Sequence, residues 1–142
     1  MSSNVRIQLT KSLPEAFLSA PSVAVGGSGE EQSTPDAYGC VAEDGRPLLS
    51  IAVGSRSDEC RAFEEATIWG GKVVVGFGHS LHLVDLVGHQ SVSHELGSYF
   101  GSLHAEAEWL LVMSAQRIVR IGSKGTVVWT SARVGIDGVL VS

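Results

Sequence analysis

Apolar positions fall in short runs separated by small and polar residues, and the most regular part of that pattern is written twice. Val73-Val74-Val75 leads through a glycine-rich turn into Leu83-Val84-Asp85-Leu86. After an offset of 37 residues, Leu110-Leu111-Val112 leads through Ser114-Ala115 into Ile118-Val119-Arg120-Ile121. Each copy is an apolar run, a small-residue turn, a second run and a Gly-containing turn before a third run, which predicts two successive β-meanders. Upstream, Val5, Ile7 and Leu9 alternate with polar neighbours at the period of a half-buried strand. Tyr38–Ala42 and Pro47–Val53 read as strands joined at Asp44-Gly45, a pair suited to tight hairpins. Ala66–Trp69 and Lys72–Phe77 flank Gly70-Gly71, while Thr126–Thr130 and Val139–Val141 supply the last apolar runs. The expected fold is mainly β, an antiparallel β-sandwich or twisted open sheet, with one or two short helices at most.

Two stretches carry a helical signal. Ser12 stands in capping-box spacing to Glu15, with Pro14 suited to an early helical position, so a turn or two through Glu15–Leu18 is expected before Pro21. Phe100, Leu103, Ala107, Leu110 and Leu111 share one helical face, so a helical turn across Tyr99–Glu106 competes with a strand that is expected from Trp109 onward. Ser57–Glu65 fits either a helical turn or a strand. Residues 25–37 hold Gly, Ser and acids with no apolar period, which predicts a flexible loop inside a single domain spanning 1–142.

A chain of 142 residues, 44% hydrophobic and 18% charged, can bury one core without staples. No apolar run approaches the roughly 18 residues needed to cross a bilayer, and the first twenty residues hold no apolar signal segment. A cytoplasmic protein without membrane association is expected. Cys40 and Cys60 stand alone, outside any C-x-x-C spacing, and are expected as buried thiols rather than a bridge. Ten of the fifteen acids but only five of the ten bases lie in residues 1–65, so the whole net charge of −5 sits there. That sign disfavours nucleic acid, whose binding draws on Lys and Arg, and is compatible with a basic protein partner.

All five histidines fall between His79 and His104. His82 and His94 are the candidate metal ligands, facing one another across the Gly88 turn with Asp85, Glu95 or Glu106 nearby. Their spacing matches no H-x-x-x-H or H-E-x-x-H pattern, so exposed strand and turn histidines are the expectation and no cofactor is implied. No G-x-S-x-G elbow is present, and serines near histidines in sequence imply no geometry. A non-enzymatic chain is expected. Arg117, Arg120 and Lys124 form a local basic group whose two arginines point to opposite faces of a strand. Trp69, Trp109 and Trp129 each adjoin an apolar run; they are expected to pack against sheets, with one free to anchor a binding surface.

Leu83-Val84-Asp85-Leu86 and Gly125-Thr126-Val127-Val128-Trp129 resemble the strands that recur in β-propeller blades. Two partial copies cannot close a ring, which needs at least four blades. The segments Gly97-Ser98-Tyr99-Phe100-Gly101, Trp129-Thr130-Ser131 and Gly135-Ile136-Asp137-Gly138-Val139 resemble small bacterial proteins with such blade-like halves. These are met as integron-type mobile-cassette products or candidate toxin-immunity proteins. The resemblance implies an interaction module, possessing Tyr99 and Asp137 as binding candidates beside the three tryptophans. Ser142 falls only three residues after Val139, so an open sheet edge is expected near the last apolar run, where a second copy would pair. A small-ligand-binding β domain is the alternative, and a His-rich metal-dependent enzyme the third reading.

Overall fold

The computed structural model describes residues 4–26, 37–54, 63–96 and 98–130. Among them run twelve strands: β1 (Val5–Thr10), β2 (Ser22–Val25), β3 (Ala37–Glu43), β4 (Arg46–Val53), β5 (Glu64–Trp69), β6 (Lys72–Phe77), β7 (Ser80–Asp85), β8 (Ser91–Glu95), β9 (Phe100–Ala105), β10 (Trp109–Ser114), β11 (Ile118–Gly122) and β12 (Val127–Thr130). A three-residue 3-10 helix, Glu15–Phe17, is the one helical element described. The protein is mainly β, as its apolar alternation predicts.

The strands form three open four-stranded sheets. The N-terminal sheet has the order β1-β3-β4-β2, the central sheet β5-β6-β7-β8 and the C-terminal sheet β12-β11-β10-β9. All pairings are antiparallel except β2 with β4. The central and C-terminal sheets are the two predicted meanders. Their tight turns follow from local chemistry: Asp44-Gly45 and Gly70-Gly71 both hold two consecutive positive φ angles, the conformation whose twist matches flanking antiparallel strands.

The central sheet is covered on both faces. Val73, Val75, Phe77 and Val84 pack toward the N-terminal sheet, against Val41, Leu49, Ile51 and Val53. Trp69, Val74, Leu81 and Leu83 pack the other way, against Phe100, Leu110, Val112, Val119 and Ile121 of the C-terminal sheet. The uninterrupted apolar run of β6 follows from this position, since a strand buried on both sides has no polar face to keep. Gly76, on the side facing the C-terminal sheet, lacks the β-carbon that would collide with the ring of Phe100.

The outer sheets differ in how their far faces are finished. On the N-terminal sheet Cys40 and Ser50 point away from the core, yet both are buried, and the 3-10 helix packs on β4. Pro14, which caps that helix without any side-chain hydrogen bond, stands where Ser12 was expected to act. Cys40 is a buried free thiol, as expected; Cys60 lies outside the described residues.

Two expectations change. The helical alternative at Tyr99–Glu106 gives way to strand β9. Its helix-like spacing has a cause in the sheet: Ser114 pairs with Phe100 but Met113 with Ser102, so Gly101 is an extra residue in a bulge. Phe100 and Leu103 thereby share the inner face three positions apart, imitating a helical period. Of Ser57–Glu65, Glu64 and Glu65 open β5, while 55–62 lie outside the described residues. Of the 25–37 loop, Val25 ends β2 and Ala37 starts β3, and 27–36 lie outside them, as does the predicted strand at 139–141. The second change concerns the histidines.

Candidate aromatic docking site

β10 alternates in burial: Leu110, Val112 and Ser114 face the core, and Trp109, Leu111 and Met113 face outward, half-buried. Register carries the outward face across the sheet. Trp109 lies opposite Gly122 and Leu111 opposite Arg120, and Arg120 lies opposite Trp129 of β12. Two tryptophans and an arginine that are distant in sequence therefore stand on neighbouring strands of one face.

The Arg120 guanidinium carbon lies 5.1 Å from the centre of the Trp109 ring, within cation–π range. On the other flank the His104 ring is 6.2 Å from Trp109 and tilted by 38°, held by a 3.0 Å contact between its Nε2 and the Glu106 carboxylate. Trp109 is thus fixed between two side chains. Gly122 presents no side chain, and a β-carbon there would first meet Val128 at 3.7 Å. The result is a cleft of about 810 Å³ lined by Glu108, Trp109, Leu111, Arg120, Val128 and Trp129. Trp129 is 52% exposed and Val128 63% exposed, so the edge strand β12 presents large apolar groups to solvent.

Trp69 belongs to the same region but not to the cleft. It is buried between the central and C-terminal sheets, and its indole N–H donates to the Glu106 carbonyl oxygen. The Glu106 N–H in turn donates to the Trp109 carbonyl oxygen at 2.9 Å, so Trp69 anchors the turn that presents Trp109. Tyr99 sits at the opposite end of β10, where its carbonyl accepts from the Ala115 N–H and its ring stacks with Phe63 at 6.3 Å. It takes no part in the cleft. Asp137 lies outside the described residues.

The two histidine candidates do not meet. His82 pairs with Ser93 and Leu81 with His94, which places the imidazoles on opposite faces of the central sheet. His82 is buried on the side of the N-terminal sheet, sharing a 2.8 Å hydrogen bond between Nδ1 and Ser93 Oγ. His94 faces the C-terminal sheet and donates from Nε2 to the Gly125 carbonyl oxygen at 2.8 Å. They cannot share an ion, and among the described residues no three His, Cys, Asp or Glu groups are placed to hold one.

Arg120, Glu108, Leu111 and Val128 are site residues that sequence reasoning passed over. Arg120 lies near Arg117 in sequence, but its partners are set by strand register, opposite Leu111 and Trp129. The chain matches no family model, no curated protein and no solved structure.

Proposed function

We propose that the chain is a non-catalytic protein-interaction module, of the accessory or immunity type, that engages its partner through the outward face of the C-terminal sheet. The observation that carries this reading is β10. Its sequence WLLVMS is apolar on both sides, like β6, yet only one side is covered among the described residues. An apolar face of this kind, centred on tryptophans and rimmed by charge, has the composition of an interaction hot spot. Tryptophan held rigid by neighbours loses little entropy on docking, and Trp109 is so held.

The test is a paired loss. The double variant Trp109→Ala/Trp129→Ala is expected to lose the partner that co-purifies with the native chain at physiological salt. Its melting temperature should fall far less than that of a core variant, because Trp129 is half exposed. Retention of the partner by the double variant would end this reading.

The cleft volume also supports a second reading, a small-ligand-binding β domain, because about 810 Å³ lies within the usual range for ligand pockets. In that case the same variants would lose a small molecule, and no protein would accompany the native chain.

A further inference from the structure

We infer that the occupant of the open face is a second copy of this chain, packed face to face across a twofold axis; this rests on the reading of that face as a docking surface. Among the described residues, the two outer faces of the three-sheet stack are not equivalent. The far face of the N-terminal sheet carries its own 3-10 segment on β4, beside a cleft of about 400 Å³ lined by Arg6, Gln8, Thr10, Phe17 and Cys40. Two C-terminal faces can meet, and doing so covers both at once, the closed solution of a twofold dimer.

The charges fit that arrangement. Glu108 and Arg120 line the same cleft with opposite signs, and both are exposed. A twofold axis sets a patch against its own copy, so an acid and a base on one patch make two reciprocal pairs, Glu108 to Arg120 and Arg120 to Glu108. Between them Trp129, Val128 and the parts of Trp109 and Leu111 still open to solvent are removed from water. Each copy then gains on its C-terminal sheet the two-sided burial that its central sheet already has.

Sedimentation equilibrium over a concentration series tests this, using the native chain, Glu108→Arg, Arg120→Glu and the double swap, with circular dichroism melts confirming the fold of each. The native chain is expected to reach twice the monomer mass. Each single swap sets like charges together and should weaken dimerisation by about tenfold or more, and the double swap should recover most of the loss. A dimer indifferent to all three swaps would overturn the inference. So would a native chain that stays monomeric. If that monomer still loses a co-purifying protein on Trp109→Ala/Trp129→Ala substitution, the second copy alone is ruled out and the docking surface stands. If it captures nothing, both fall.

Discussion

Gly76→Val is expected to lower the melting temperature of the chain by roughly 10 °C or more. Gly76 sits mid-strand in β6, paired with Glu65 and Leu81, where a glycine ordinarily weakens a sheet. Its compensation is the Phe100 ring, which lies against the Gly76 backbone where a β-carbon would otherwise project. Even alanine would place that carbon inside the ring, and valine adds two methyl groups more. Overpacking a filled core costs about 1–3 kcal/mol and sometimes more, out of a total stability on the order of 5–15 kcal/mol. Valine belongs at the upper end, since neither neighbouring strand can withdraw without breaking its ladder. Circular dichroism and thermal melts read the outcome. The effect should be coupled to its partner: Gly76→Ala/Phe100→Leu is expected to melt above the sum of the two single losses. If Gly76→Val melts within a few degrees of the native chain, the close contact between the two sheets is not as described.

Phe100→Ala carries the second large effect, by the opposite route. The side chain is 1% exposed and packs with Leu81, Leu96, Leu110 and Val112 in the core between the central and C-terminal sheets. Removing a buried phenyl ring costs about 3–5 kcal/mol through lost transfer energy and the cavity left behind. For a chain of this length that corresponds to a fall of roughly 10–20 °C in melting temperature. The backbone contact remains, because the Phe100 N–H still donates to the Gly78 carbonyl oxygen, so folding is weakened rather than redirected. The site depends on this packing. Phe100 begins the strand that flanks β10, and a loosened β9 would release His104 from its place beside Trp109. A loss below about 1 kcal/mol would show that the seam between the sheets is not a filled core.

The fold was readable because most strands bury one or both faces, and apolar alternation records that directly. Both meanders and the Asp44-Gly45 hairpin stand where their patterns place them. Misreading entered where a bulge changed the count, as at Gly101, because one extra residue turns a period of two into a spacing of three. The histidines show the same dependence more sharply. Pairing Leu81 rather than His82 with His94 sends the two imidazoles to opposite sides, and the irregular connection between β7 and β8 gives no sequence signal for that choice.

The site was legible only in part. Tryptophans announce themselves by type, but which of them are exposed does not follow from type: Trp69 is buried and anchors a turn, and Trp129 stands open. Arg120 could be joined to Trp109 and Trp129 only through the registers of β10, β11 and β12. The clearest available hint was the unbroken apolar run of β10, which asks for burial on two sides.

That demand can be measured without knowing what meets it. Hydroxyl-radical footprinting, read by mass spectrometry, would compare tryptophan oxidation in purified protein diluted to monomer with oxidation inside the cells that make it. The account predicts that Trp129, and Trp109 less strongly, are oxidised in the dilute monomer and protected in cells, with Trp69 shielded in both. Equal oxidation of Trp129 in the two settings would mean that the face stays bare where the protein works, and would contradict the account.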